Sequence, residues 1–376
     1  MDLTPSPDDH RFRQRARDWL GANAPRHRAP AGGAGARQAA TAWLARCHAA
    51  GWSGLAWPRD WGGQGLSADR LLIWYEEYAR TGAPSPLDCT FVGLHHAGPT
   101  LIALGSEAQK AFHLPRILQG QSIWCQGFSE PGAGSDLASL RTSGRVEGDI
   151  LVVNGQKIWS SYAEDADYQE LLIRTEPGSA RHRGLSWVIC DMRAPGITVR
   201  PIANMAGETH FAEVFYDDVR IPLSNVVGGL HNGWATAMTT LGFERKTAAM
   251  ALQLDLSVRV ERLIAEAGAA PGSALAETLA DLRAEAAGLR AMTWRSVLRE
   301  GGTPFDGSLV RLTFAELAQR VHRLAAELLG PESLLQGPVM TDYFESYSET
   351  IAGGTAEIQR NIIAERILGL PREGRA

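Results

Sequence analysis

Residues 124–136 read W-C-Q-G-F-S-E-P-G-A-G-S-D: a hydroxyl at Ser129, an acid at Glu130, then a turn with Gly132 and Gly134 closed by Ser135 and Asp136. A glycine-rich turn leaves backbone N–H groups uncovered, and such groups cradle phosphate. Taken alone, the stretch reads equally well as an ordinary surface turn. A second stretch, Trp159-Ser160-Ser161, offers an indole face beside hydroxyls, although a core aromatic is the commoner fate of a tryptophan. A third, Gly353-Gly354-Thr355-Ala356-Glu357, has the form of a helix start, with Thr355 as N-cap and Glu357 in the first turn. A further acid, Glu244, lies in an apolar helical pattern. Leu241, Glu244, Ala248 and Leu252 recur at helical spacing, so the acid shares a face with apolar residues. Lost hydration there would raise its pKa toward the range of a general base; a salt bridge to a neighbouring arginine is the alternative.

Other chemistry is less favoured. No G-x-G-x-x-G follows a strand, so a dinucleotide would bind outside a Rossmann unit. His95 and His96 have no carboxylate or cysteine at ligand spacing, and no metal site is expected. Cys47, Cys89, Cys125 and Cys190 are far apart, which suits reduced thiols in a cytoplasm; Cys125 reads as a buried thiol. Asp8-Asp9 and Glu76-Glu77 read as solvated helix acids.

The elements that must position these groups follow from periodicity. The chain has 376 residues, 44% of them hydrophobic, enough for more than one structural layer. Its net charge of −5 gives no basic footprint for nucleic acid. No apolar run approaches the roughly 20 residues of a membrane span, and the N-terminus lacks a signal-peptide core. Lysine occurs only at 110, 157 and 246, arginine doing the rest, a bias of GC-rich bacterial genomes. Residues 1–120 read helical: Phe12, Ala16, Trp19 and Leu20 keep helical spacing, and further helices are expected over 39–50, 67–80 and from 99 onward. Residues 31–36, AGGAGA, read as a loop. Over 121–232 the period shortens, with Asn154-Gly155 between apolar runs as a hairpin signal and strands expected at 171–174, 185–190, 197–202 and 211–216. A small antiparallel sheet or barrel follows. Over 233–376 the pattern is helical again, with four candidates at 234–267, 273–300, 308–329 and 355–368 forming a bundle. The fold class is therefore α+β in three domains: helices, strands, helices.

The glycine-rich stretch closely resembles the flavin-binding signature of the acyl-CoA dehydrogenase family. That family has the same helix–strand–helix order. Further resemblances follow in register: Trp159-Ser160-Ser161, the stretch Asp217-Asp218-Val219-Arg220-Ile221-Pro222, and the run from Gly353 to Ile363. The resemblance implies FAD, bound by Gln126, Phe128, Ser129, Gly134, Ser135, Trp159, Ser160, Ser161, Thr355 and Glu357. It implies thioester contacts at Ser135, Arg245 and Gly354. Many family members carry the catalytic glutamate directly before the Gly-Thr of the last signature, where this chain has Gly353. One branch, which includes isovaleryl-CoA dehydrogenase, places it on the first long C-terminal helix before an arginine. Phe243-Glu244-Arg245 resembles that arrangement. Gly353 then keeps a backbone role, its N–H polarising the thioester carbonyl.

The family's homotetramer features are missing: an Arg and Phe-Gly after the first long helix, and a later Gln-x-x-Gly-Gly. Residues 259–273 read RVERLIAEAGAAPGS and 328–332 read LLGPE. In this the chain resembles the bacterial pimeloyl-CoA dehydrogenase-like and sterol side-chain branch, some of whose members pair two different subunits. The expected activity is α,β-dehydrogenation of an acyl-CoA or acyl-carrier-protein thioester, with electron-transfer flavoprotein or oxygen as acceptor, in a homo-oligomer or heteromer. Alternatives on the same scaffold are a flavin oxidase or monooxygenase, a carrier-protein-thioester dehydrogenase, or a flavin-stabilising subunit.

Overall fold

Ser6 sets where the first helix begins. Its hydroxyl accepts the Asp9 N–H while the Asp9 carboxylate accepts the Ser6 N–H, a reciprocal cap on two otherwise unpaired donors. The computed structural model describes residues 5–26, 34–298 and 306–371; the side chains of residues 34 and 244–249 also lie outside the description. In chain order the α-helices are α1 (Pro7–Asn23), α2 (Ala34–Ala49), α3 (Ala68–Tyr78), α4 (Gly98–Leu104), α5 (Glu107–Leu118), α6 (Gly233–Glu266), α7 (Ala274–Leu298), α8 (Asp306–Leu328), α9 (Pro338–Glu345) and α10 (Ala356–Ile362). Two compact units result. One comprises Met1–Arg26, Ser67–Gly82 and Ala249–Ala376, the other His27–Leu66 and Ala83–Ala248.

The first unit is helical. Leu256 and Val260 of α6, Leu282, Ala286 and Leu289 of α7, and Val310, Phe314, Leu317 and Val321 of α8 share one core. Burying each large apolar side chain stabilises the fold by about 1.5–3 kcal/mol. The same unit holds α1 and α3, with Phe12, Ala16 and Leu20 buried as their spacing predicts. Glu76 and Glu77 of α3 are not solvated. Both are buried, and arginines are the reason: Arg13 donates to both, Arg17 to Glu77, and Arg290 together with the Trp294 indole N–H to Glu76. Helix α9 has no counterpart among the four helices expected from periodicity.

The second unit centres on a sheet of β1 (Trp124–Gly127), β2 (Ser143–Glu147), β3 (Ile150–Ser161), β4 (Tyr168–Arg174), β5 (Leu185–Asp191), β6 (Ile197–Ile202), β7 (Phe211–Pro222) and β8 (Val226–Val227). The order is β6-β7-β3-β2-β4-β5-β8, with β1 parallel to β4. The sheet is therefore mixed rather than wholly antiparallel. Strands β4 and β5 are buried on both faces. Leu171, Ile173, Val188 and Cys190 enter one core, while Leu172, Trp187 and Ile189 enter another with Leu101 of α4 and Leu114, Ile117 and Leu118 of α5.

Two local readings are corrected. Asn154-Gly155 is no hairpin: β3 runs straight through it, and β2 turns into β3 at Gly148-Asp149. The pair instead faces a bulge on β7, where the Asn154 side chain donates to the Asp218 carboxylate and accepts the Asp218 N–H. Of the loop expected over 31–36, residues 31–33 lie outside the described residues, and 34–36 already belong to α2.

Candidate active site

The glycine-rich turn is anchored from below by an acid and a lysine. Glu130 and Ala133 bond each other's backbones, closing the turn. The Glu130 carboxylate turns inward and accepts the N–H groups of Arg141 and Thr142 at 2.7 and 2.9 Å. Lys157, fully buried on β3, donates to Glu130 Oε1 at 2.9 Å and to the Phe128 carbonyl at 3.0 Å. Burial, partly offset by Glu130, brings the Lys157 ammonium down to about 8. Burial alone would raise Glu130, but Lys157 and the backbone donors hold it below its ordinary value. Arg174 fastens the next loop, donating to the carbonyls of Ala138 and Leu140.

Above this anchor the turn is bare. A Cβ at Gly132 or Gly134 would meet nothing within 4 Å, and neither residue has a positive φ. Nothing within the chain demands glycine there. What glycine supplies is access to the backbone, and among the described residues the N–H groups of Gly134 and Ser135 donate to no protein acceptor. Gly127 is different: a Cβ there would lie 2.5 Å from the Gln169 side chain.

Ser129 joins the glycine-rich stretch to the segment that carries Trp159, since its carbonyl accepts the Ile158 N–H at 2.9 Å. One residue on, the β3–β7 register slips between Lys157 and Ser160, and Trp159 takes φ +62. A left-handed backbone at a bulky residue is strained, and such strain collects at functional sites. The bulge leaves the indole 56% exposed, its edge on Phe211. Ser161 is half-buried. Ser160 is fully buried, and among the described residues its hydroxyl has no partner. Gln126 is half-buried and Phe128 buried. A presented indole, a bare backbone turn and half-buried hydroxyls together fit a ligand with a flat ring system and phosphates.

In the helical unit Gly353 and Gly354 take φ +64 and +94, the region that favours glycine. The Gln359 amide donates to both carbonyls, and Arg311 grips the preceding chain through the carbonyls of Glu349 and Ala352. Thr355 caps α10 as expected, accepting the Ile358 N–H. Glu357 is exposed at that helix start, and its own N–H and the Thr355 hydroxyl hold its carboxyl below the usual value. The backbone of α6 carries Glu244 and Arg245, but both side chains lie outside the described residues. Cys125 is buried, and burial pushes its thiol well above its ordinary value, as suits an inert group.

Sequence reasoning missed the fully buried Glu170 on β4, which meets His96 at 3.2 Å and Gln126 at 2.7 Å. An acid inside an all-buried strand was the available signal. Among the described residues no group of acids, histidines and cysteines is placed to hold a metal, and no helix is long and apolar enough to cross a membrane.

Three family models match successive stretches of the chain: the acyl-CoA dehydrogenase N-terminal domain over residues 6–121, the middle domain over 125–219 and the C-terminal domain over 231–368. The chain belongs to the acyl-CoA dehydrogenase family. It is 40% identical to acyl-CoA dehydrogenase IpdE1 of Mycobacterium tuberculosis, covering 98% of this chain and 99% of that protein. It is 38% identical to acyl-CoA dehydrogenase FadE26 of the same organism, over 86% of each. Among solved structures, the Tcur3481–Tcur3483 steroid ACAD superposes with a TM-score of 0.87 at 30% identity, covering 99% of this chain and 100% of that one. The ChsE4–ChsE5 complex of Mycobacterium tuberculosis superposes with a TM-score of 0.83 at 34% identity, over the whole of both chains. Membership makes the protein a flavin-dependent oxidoreductase acting on the CH–CH bond of an acyl-CoA. The expected α+β fold, with an N-terminal helical, a middle β and a C-terminal helical region, is the fold of this family.

Proposed function

We propose that the flavin is FAD and that this chain uses it to oxidise an acyl-CoA to the 2,3-enoyl-CoA with Glu244 as the general base. The exposed, strained Trp159 is the observation that carries the reading. A bulky residue held left-handed, more than half exposed and with an edge contact to Phe211 that only about offsets its strain, leaves a ring face for which a flat ligand is the natural recipient. Gln126, Phe128, Ser129 and Ser161 lie along the same segments, and Gly134 and Ser135 offer N–H groups to the phosphates. Thr355 and Glu357 serve the nucleotide from the helix start, and Ser135, Arg245 and Gly354 the thioester. When bound, the flavin accepts a hydride from the β-carbon. The chain's own task is to remove the α-proton. Gly353 carries no side chain to do so, and the carboxylate of Glu244 receives the proton in this reading, while the Gly353 N–H steadies the carbonyl oxygen.

Assembly with a second, related dehydrogenase subunit belongs to the same reading, with electron-transfer flavoprotein as acceptor. The missing tetramer motifs support it, as do the exposed Leu334, Leu335, Ile351 and Leu368 of the helical unit. Two similar solved structures, the Tcur3481–Tcur3483 steroid ACAD and the ChsE4–ChsE5 complex, each join two named proteins and point the same way. All four cysteines are free and buried, in keeping with a cytoplasmic protein.

The test is anaerobic titration of the yellow protein, alone and with its partner subunit, against a panel of acyl-CoAs that includes steroid-derived acyl groups. Bleaching of the flavin with formation of the enoyl thioester supports the reading. A folded protein that takes up no FAD in either state, or is reduced by no member of the panel, contradicts it.

A further inference from the structure

Three elements of the sheet-containing unit converge on one buried carboxylate. Glu170 of β4 is fully buried and lies in register with Gln126 of β1. It has the same parity on β4 as Leu172, whose side chain enters the core shared with α4 and α5. From the helices comes His96, buried on a single π turn (Gly93–Ala97), with its ring against Phe91. Such turns reaim one side chain and recur at functional sites. His96 Nδ1 lies 3.2 Å from Glu170 Oε1, and Gln126 Nε2 lies 2.7 Å from the same oxygen.

The arrangement fixes which way the Gln126 amide points. A carboxylate oxygen accepts only, so the amide face turned to Glu170 must be the NH2. His96 Nδ1 lies against the same pair, 3.2 Å from Glu170 Oε1 and 3.3 Å from Gln126 Nε2, and so packs the amide in place. The amide oxygen of Gln126 is thereby left facing away from the pair. Among the described residues it accepts no hydrogen bond, and Gln126 is only half-buried. Two and three residues further along the chain come Phe128 and Ser129, which the proposed reading places at the flavin.

We propose that Glu170 and His96 are positioning residues for Gln126, holding its amide oxygen as an acceptor for an N–H or O–H donor on the bound ligand. This rests on the flavin and thioester reading above. The donor belongs either to the isoalloxazine or to a hydroxylated or amide-bearing acyl group. A ligand without a donor would cover the oxygen and leave it unpaired, so the position selects as well as binds.

A double-mutant cycle tests this in the FAD-loaded protein. The variants are Gln126→Met, Glu170→Leu and both together, with Glu170→Gln as the conservative variant that keeps an acceptor oxygen. Two dissociation constants are read: FAD by flavin fluorescence, and a donor-bearing acyl-CoA by its perturbation of the flavin spectrum. Gln126→Met should weaken one constant about tenfold. A change in FAD affinity assigns the donor to the flavin, and a change in acyl-CoA affinity assigns it to the substrate. Glu170→Leu should produce the same loss, the double variant no further loss, and Glu170→Gln a smaller one. Additive losses, or a Gln126→Met protein with both constants unchanged, overturn the proposal. If Glu170→Leu does not fold, His96→Leu with Gln126→Met carries the same cycle. Wild-type protein that binds no FAD in this assay would instead overturn the parent reading, which keeps the two failures apart.

Discussion

Glu130 and Lys157 lie 27 residues apart in sequence, yet the ammonium of one meets the carboxylate of the other at 2.9 Å, with Lys157 wholly out of water. The pair staples the glycine-rich turn to β3 and so brings Ser129 beside the segment that carries Trp159. Removing one partner of a buried pair leaves the other charge uncompensated. Lys157→Met should therefore cost about 3–5 kcal/mol in urea unfolding and lower FAD retention with it.

Trp159 should behave oppositely to the core tryptophans. Replacing it with glycine relieves the left-handed strain while losing the edge contact with Phe211, terms of about 1 kcal/mol each. Trp159→Gly should thus keep wild-type stability within about 1 kcal/mol, yet lose FAD affinity at least tenfold. Trp187→Ala, at a fully buried position, should cost about 3–5 kcal/mol. Thermal unfolding of the two apo variants, with flavin fluorescence titration of the first, separates packing from ligand contact.

Thr355→Ala removes an N-cap worth about 1 kcal/mol and loosens the start of α10. Retention of FAD through gel filtration should fall. Unchanged retention alongside the lost stability would leave Thr355 with a capping role only.

Acid should find the helical unit through Glu77. Burial alone would raise this carboxyl, but Arg17 and Arg13 more than offset it and hold it below its ordinary 4.5. A folded value below the unfolded one means that the stabilisation is complete above the unfolded value and is lost as pH falls through the folded one. The melting temperature of wild type should fall most steeply below about pH 4.5. In Glu77→Gln it should be lower at pH 7 and fall less on acidification.

The fold was legible where a single period governed the chain. Phe12, Ala16 and Leu20 kept their helical face, and β4 and β5 were evident as apolar runs. Asn154-Gly155 misled because the local turn propensity of Asn-Gly is overridden when a bulge at Asp218 offers the asparagine side chain two partners. Glu76 and Glu77 misled for a related reason: their arginines come from α1 and α7, distant in sequence. The motif residues around Ser129 and Trp159 could be named from their order along the chain. The left-handed backbone of Trp159, and the meeting of His96 with Glu170, depend on register and on packing between layers, which no linear spacing encodes.

In the proposed reaction an acid on α6 takes the α-proton of an acyl thioester. Anaerobic stopped-flow reduction of Glu244→Gln protein by the best substrate tests it most directly. The substitution keeps size and shape but cannot accept the proton. FAD affinity should match wild type, and the rate of flavin bleaching should fall by about 10²–10⁴. Bleaching at a near-normal rate would contradict the account and move the base to another residue or to a partner chain.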